Sequence, residues 1–197
     1  MLAAVVIAHP RRDSFCHALS ARTISGLRAA GHSVEALDLY ADGFGAAMTP
    51  AEREAYHGEQ PVLDPLVRRY ADVVQRAEAL VFVYPTWWSG LPAVLHGFLE
   101  RVLVPGVAFR FDDRTRKVRP ALGHVRHIVG VSTYGSPWWA VRLATDDGRR
   151  TLTRALRMSS GWRTRTTWLA LYRMDTLPDI ARRDFAAAVE RRMADLR

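Results

Sequence analysis

Three stretches of this chain place hydroxyls, tight-turn residues and flat aromatic rings directly after short apolar runs. The first is His9-Pro10-Arg11-Arg12-Asp13-Ser14-Phe15-Cys16, which joins an apolar run to a helical pattern. A helix start offers free backbone N–H groups and partial positive charge. With the Ser14 hydroxyl and Arg11 added, it suits a phosphate, although Asp13 or Ser14 acting only as helix cap accounts for the same residues. The second is Tyr84-Pro85-Thr86-Trp87-Trp88-Ser89-Gly90-Leu91-Pro92. Two adjacent tryptophans in a loop after an apolar run cannot both face a core easily. They suit either a planar conjugated ligand, with backbone N–H groups reaching its edge, or an aromatic cluster at a subunit interface. The third, Ser132-Thr133-Tyr134-Gly135-Ser136-Pro137-Trp138-Trp139, repeats the pattern. Its N–H groups could stabilise negative charge developing on a bound ring, as an oxyanion hole does, or it is an ordinary capped turn.

Other chemistry is poorly supported. There is no phosphate-binding loop of the Gly-x-x-x-x-Gly-Lys-Ser/Thr kind, no Gly-x-Gly-x-x-Gly and no Gly-x-Ser-x-Gly. This argues against a nucleotide hydrolase, a dehydrogenase of the standard dinucleotide fold and a Ser132 or Ser136 nucleophile. His124 and His127 stand three apart on what reads as a strand, so they should point to opposite faces and not share a metal. His17, His32, His57 and His96 read as surface or structural residues. Cys16, the single cysteine, has no obvious catalytic partner.

Positioning these stretches requires an alternation of strands and helices. Leu2–Ala8 is a continuous apolar run, expected of a strand buried on both faces. A helix is predicted from Ser14 to Ala30, with Gly31 where a terminating glycine belongs. Further strands are predicted over Ser33–Leu39, Ala79–Tyr84, His124–Ser132 and Thr164–Tyr172. Helices are predicted over Asp64–Arg76, Leu91–Leu103, the later part of Trp138–Ser159, and Ile180–Leu196. A short helix from Thr49-Pro50 to Tyr56 interrupts an otherwise irregular 40–62. The pattern implies a five-stranded parallel sheet covered by helices on both faces. All three stretches then fall beyond the carboxyl ends of strands, where open parallel sheets bind ligands.

Composition sets the frame. At 197 residues, 49% hydrophobic and 24% charged, the chain reads as one soluble domain spanning residues 1–197. The lone cysteine fits a reducing compartment, the N-terminal run lacks the features of a secretory signal, and no stretch reaches the roughly 20 apolar residues that span a bilayer. A cytoplasmic protein without a membrane segment is expected. The net charge of +8 rests almost wholly on arginine. The arginines are scattered and lack interleaved aromatics, which argues against nucleic acid and suits an anionic cofactor.

With these segments laid out, the chain resembles the NAD(P)H:quinone oxidoreductase family, a flavodoxin-like group also called NAD(P)H dehydrogenase (quinone). The match runs from residue 1 to about 140. It includes His-Pro-x-x-x-Ser-Phe at His9–Phe15, LDLYADGF at Leu37–Phe44 and, most specific, YPTWWSGLPAVLHGFLERVLVPGVAF at Tyr84–Phe109, which contains the Val83–Leu103 segment except for its first residue. The resemblance implies an α/β flavodoxin-like three-layer sandwich with strand order 2-1-3-4-5, a bound flavin, and a homodimer with sites at the interface. It implies that His9, Arg11, Ser14, Phe15 and Cys16 surround the flavin phosphate and ribityl chain. Pro85, Thr86, Trp87 and Trp88 would line the ring, and Ser132, Thr133, Tyr134 and Gly135 its pyrimidine edge. N–H groups around Tyr134 and Gly135 would stabilise the reduced flavin. Trp88, Trp138 and Trp139 are expected as pocket walls. NAD(P)H would be the co-substrate and a quinone-like planar acceptor the oxidant, in ping-pong order. The absence of a C-terminal extension favours FMN over FAD. Some shorter relatives serve as ancillary subunits of potassium-efflux transporters, the alternative role. The Tyr and His that follow the fourth-strand loop in long mammalian members have no counterpart that can be placed here.

Overall fold

The computed structural model describes residues 1–112, 114, 115 and 117–197. Its central sheet is formed by β1 (Leu2–Ile7), β2 (Ser33–Asp38), β3 (Ala79–Pro85), β6 (His127–Thr133) and β7 (Arg165–Leu171). The order is β2-β1-β3-β6-β7, with every pairing parallel. This is the expected 2-1-3-4-5 order once the sheet strands alone are numbered. The remaining pair, β4 (Phe109–Phe111) and β5 (Val118–Pro120), forms a separate antiparallel ribbon.

Side chains alternate across a strand, and the sheet uses both faces. Ala4, Val6, Leu80, Phe82 and Ile128 enter one buried cluster, with Val67, Val74, Leu95 and Phe98 from α3 (Pro65–Arg76) and α4 (Ala93–Val102). Ala3, Val5, Val81, Val83, Val129 and Val131 enter the other, with Leu19, Leu27, Val189 and Met193 from α1 (Phe15–Ala29) and α8 (Asp179–Ala194). The continuous apolar strands follow directly from burial on both faces. α1 and α8 approach so closely that a Cβ at Gly26 would collide with the backbone oxygen of Glu190.

Local signals set several ends. Gly31, at φ 78°, closes α1: its N–H donates to Arg28 O, and the His32 N–H donates to Leu27 O. This is the paired bonding of a left-handed glycine stop. α2 (Pro50–Ala55) begins with a reciprocal cap between Thr49 and Glu52. The irregular segment around it is fastened by Arg101 of α4, which is buried and donates to Glu52 Oε1 (3.0 and 2.6 Å), to Asp64 Oδ2 (3.1 Å) and to Gly45 O.

One sequence expectation needs correction, and two features go beyond the sequence reading. The fourth sheet strand begins at His127, not His124, because residues 122–125 make a turn, with the Val125 N–H donating to Leu122 O. His124 is therefore not on the strand, and the opposite-faces argument does not apply. Its Nε2 lies 3.4 Å from Val74 O, whereas His127 Nε2 lies 2.7 Å from Arg197 O. The later part of Trp138–Ser159 is helical as expected, but the helix there is not regular, and a separate short helix precedes it. Residues 138–160 divide into α5 (Trp138–Leu143), α6 (Asp147–Arg150), a π-helical turn (Thr151–Leu156) and α7 (Arg157–Ser160). The break falls at Thr145 and Asp146, which take φ of 77° and 43°. Tertiary bonds from this point to the other loops outweigh local helix propensity. The β4–β5 ribbon was not expected at all: its strands are three residues each, too short for a period-two signal.

Candidate functional site

The loops after β1, β3 and β6 lie side by side, because these strands are adjacent in the sheet. Chain order reverses beside β1, and such a switch point opens a crevice beyond the strand ends. The three stretches singled out from sequence are therefore brought together.

Loop one leads into α1. Ser14 caps the helix, its Oγ accepting from the His17 N–H at 3.3 Å. The amides of Phe15 and Cys16, at the first turn, have no acceptor among the described residues. Arg11 is tied to Asp13 by two bonds of 3.0 and 2.6 Å, and both side chains are exposed. The expected free guanidinium is thus half neutralised by its own neighbour. His9 Nδ1 lies 3.1 Å from the Arg11 amide nitrogen, and the His9 carbonyl accepts from His17 Nε2 at 3.2 Å. Burial, with nearby His17 and Arg11 adding to it, lowers the His9 pKa against the opposing backbone bond to Arg11. This favours the neutral imidazole of His9. Its ring stands 6.1 Å from that of Trp87, which joins loop one to loop two.

The side chains of Phe15 and Cys16 do not face this crevice. Phe15 packs against the α1/α8 core cluster. Cys16 is buried with Sγ 3.9 Å from Thr133 Oγ1, and burial pushes its thiol up to about 11. Only the backbone N–H groups of these two residues remain available to a ligand.

Loop two holds its tryptophans in a strained turn. Trp88 and Ser89 have φ of 50° and 58°, and the Gly90 N–H donates to Trp87 O at 2.9 Å. Two central residues at positive φ are the type I′ pattern, normally occupied by Asn and Gly. Trp88 is fully exposed at 103% and Trp87 at 43%. Consecutive left-handed non-glycine residues are costly, and such outliers gather at functional sites. The amides of Thr86 and Trp87 are already used, donating to Thr133 O (2.8 Å) and Gly90 O (3.3 Å). The amides of Trp88 and Ser89 have no acceptor among the described residues. Pro85 is the buried last residue of β3.

Loop three is more buried than the sequence suggested. Ser132 and Thr133 are interior: Ser132 Oγ donates to Tyr84 O at 3.0 Å and lies 2.8 Å from Thr86 Oγ1. They brace loops two and three and do not present hydroxyls to a ligand. The Tyr134 N–H donates to Leu171 O at 2.8 Å, so it is not free to meet charge on a bound ring. The Tyr134 hydroxyl donates to Asp146 Oδ1 at 2.9 Å, and its ring stacks on Tyr172 at 4.8 Å. Burial, reinforced by Asp146, raises the Tyr134 pKa far above the ordinary tyrosine range. Gly135 and Ser136 are exposed, and their amides have no protein acceptor. The expected N–H contribution at Tyr134 and Gly135 therefore narrows to Gly135 with Ser136. Trp138 and Trp139, 58% and 53% exposed, follow at once on α5.

The sequence did not point to Asp146, which receives Tyr134, nor to the carbonyl of Ser89, which accepts from the amides of Asp147 (2.9 Å) and Gly148 (3.4 Å). These bonds fasten α6 across loops two and three. The Asp-Asp-Gly run at 146–148 is a turn signal, but its partners are remote in sequence. A recess of about 250 Å³ opens beside loop one, lined by His9, Pro10, Arg12, His17, Asp38 and Tyr40. No group of three or more His, Cys, Asp or Glu placed to hold a metal occurs among the described residues. No helix among them is long and apolar enough to cross a membrane.

A profile of the flavodoxin-like fold matches residues 1–191. The chain belongs to the flavodoxin-like fold family. Among solved structures, this flavodoxin-like chain superposes on the NAD(P)H:quinone oxidoreductase from Methanothermobacter marburgensis with a TM-score of 0.83, over 99% of this chain and 96% of that one, at 24% identity. It also superposes on an FMN-dependent NADH-azoreductase from Bacillus anthracis, solved with FMN, with a TM-score of 0.72 over 98% of each chain at 14% identity. Among curated proteins, NAD(P)H dehydrogenase (quinone) 1 of Rattus norvegicus is 32% identical over 124 residues, covering 55% of this chain and 45% of the relative. An uncharacterized NAD(P)H oxidoreductase of Haemophilus influenzae is 29% identical over 110 residues, covering 55% of this chain and 54% of the relative. The chain thus spans about half the length of the curated relatives it matches. The resemblance seen in the sequence is borne out at the level of fold and relatives.

Proposed function

We propose that this flavodoxin-like chain is a flavin-dependent NAD(P)H oxidoreductase that reduces quinones or similar planar acceptors by two electrons, with FMN as cofactor and a homodimer as the working form. One observation carries this reading. Amides with no acceptor among the described residues occur in all three loops, at Phe15 and Cys16, Trp88 and Ser89, and Gly135 and Ser136, beyond the carboxyl ends of adjacent strands and beside exposed tryptophans. A phosphate suits the first pair, where the α1 N-terminus adds partial positive charge. The other two pairs suit the polar edge of a flat heteroaromatic ring, and Trp87 and Trp88 supply an apolar face. The donor set therefore fits a flavin mononucleotide. The name of the FMN-dependent azoreductase supports the choice of flavin, and that of the NAD(P)H dehydrogenase (quinone) relative supports the reaction.

A bound flavin would supply hydride transfer from NAD(P)H to the acceptor. The protein's share is to orient and to stabilise. The Gly135 and Ser136 amides hold negative charge at the ring edge without reorganising, and the Tyr134–Asp146 bond fixes the backbone that carries them. Trp88, Trp138 and Trp139 form a wall that admits the nicotinamide and the planar acceptor in turn. Their exposure in the single chain also suits burial against a second copy.

The test is spectral. Purified protein should be yellow, release FMN identifiable by mass, bleach anaerobically with reduced nicotinamide nucleotide, and regain colour with a benzoquinone. Colourless protein that binds neither FMN nor FAD would overturn the proposal.

A further inference from the structure

A recess of about 280 Å³ opens beside the crevice, lined by Arg142, Thr145, Asp146, Arg149, Arg150, Thr153 and Arg154. We infer that its four arginines receive the 2′-phosphate of NADPH, so that this site prefers NADPH to NADH. The inference rests on the proposed oxidoreductase reading and specifies its hydride donor.

Position is the first argument. Asp146, in the wall of the recess, accepts the Tyr134 hydroxyl, and the amides of Asp147 and Gly148 bond Ser89 O. The segment bearing the arginines is thereby fastened to both the β3 and β6 loops. A nicotinamide standing among Trp87, Trp88 and Gly135 must lay its adenosine half over the rim of the crevice. In the proposed reading the α1 side already holds the FMN phosphate, which leaves the Arg142–Arg154 side.

Charge is the second. None of Arg142, Arg149, Arg150 and Arg154 takes part in an ion pair among the described residues. Two carboxylates stand close by, Asp146 accepting from the Tyr134 hydroxyl and Asp147 from the Thr145 hydroxyl at 3.1 Å, so four guanidinium groups face two acids. The guanidinium fork matches a phosphate dianion in geometry as well as sign. The backbone supports the same view. Thr145 and Asp146 sit at positive φ, and the chain turns to π geometry over Thr151–Leu156, a departure that recurs at functional sites. The larger basic groove, about 560 Å³ with Arg157, Arg163, Arg165 and Arg192, opens at the N-terminal ends of β6 and β7, away from the crevice. It is out of reach of the same nucleotide.

The test compares 2′,5′-ADP with 5′-ADP, two probes of similar charge that differ in phosphate position, by calorimetric titration of the purified protein. The 2′,5′ isomer should bind at least about tenfold more tightly, the size of one charge-assisted contact. Arg149→Gln/Arg150→Gln/Arg154→Gln should remove that preference and lower the ratio of KM for NADH to KM for NADPH by a similar factor. Arg163→Gln/Arg192→Gln, which removes charge from the far groove, should leave the preference intact. Equal binding of the two isomers overturns the inference, as does equal loss in both sets of variants. Colourless protein that still prefers 2′,5′-ADP removes the oxidoreductase reading and leaves the site. Yellow protein that oxidises NADH and NADPH alike, with no isomer preference, removes the site and leaves the reading.

Discussion

Replacing Trp88 by Asn and Ser89 by Gly should make the apoprotein more stable and its flavin complex weaker. Both residues occupy left-handed backbone, φ 50° and 58°, in a two-residue turn closed by the Gly90 N–H to Trp87 O bond. A left-handed residue with a Cβ costs about 1–2 kcal/mol, and Asn and Gly escape most of it. Glycine returns about 0.5–1 kcal/mol through the entropy of the unfolded chain. Trp88 is fully exposed in the single chain, so its removal forfeits no area buried within the fold. The balance over the two positions is a gain of about 2 kcal/mol, or about 4–8 °C in Tm for a chain of this size. Loss of one aromatic face against the ring costs about 1 kcal/mol of binding, a rise of roughly fivefold in the Kd for FMN. Thermal melts of apoprotein and quenching of FMN fluorescence on titration read the two effects separately. A lower apoprotein Tm would show that the turn is not strained. An unchanged FMN affinity would show that Trp88 does not border the ring.

Arg101→Met should cost about 3–5 kcal/mol, because it leaves the Glu52 carboxylate buried without its cation; a denaturant midpoint unchanged from wild type would contradict this. The same network gives a pH dependence. Burial opposes ionisation of Glu52 and Asp64, yet hydrogen bonds from Arg101, the Thr49 cap and the α3 amides hold both below the ordinary carboxylate range. Their stabilisation is present above the unfolded values near about 4 and is lost as pH falls through the depressed folded values. Wild type should therefore lose more stability than Arg101→Met on acidification, as denaturation at pH 6 and pH 3.5 would measure. Cys16, with a thiol pushed up to about 11, should stay unreactive to a disulfide reagent at pH 7.5 until the protein unfolds; prompt native-state labelling would refute its burial.

Much of the fold was legible because its signals are local. Strands buried on both faces read as continuous apolar runs at Ala3–Ile7 and Ala79–Tyr84, and Gly31 and the Thr49–Glu52 pair mark helix ends through their own backbone needs. The place of the site was legible for the same reason, since strand-to-helix alternation alone puts the three loops at one end of the sheet. The roles of particular atoms were not. Ser132, Thr133 and Cys16 look in sequence like ligand contacts, and in the fold their side chains are interior braces. The Tyr134 amide looks free, and Leu171, on the neighbouring strand, consumes it.

The sequence by itself determined the class of fold and that the three loops would lie at one end of the sheet, because alternation, caps and glycine stops act over a few residues; the strand order followed from the family resemblance. Tertiary structure decided which donors stay unpaired, that Trp88 and Ser89 must hold a left-handed turn, and that the helix after Trp138 breaks at Asp146 to face Tyr134. Those outcomes depend on bonds between residues far apart in the chain, whose geometry exists only once the sheet has brought β3, β6 and β7 side by side.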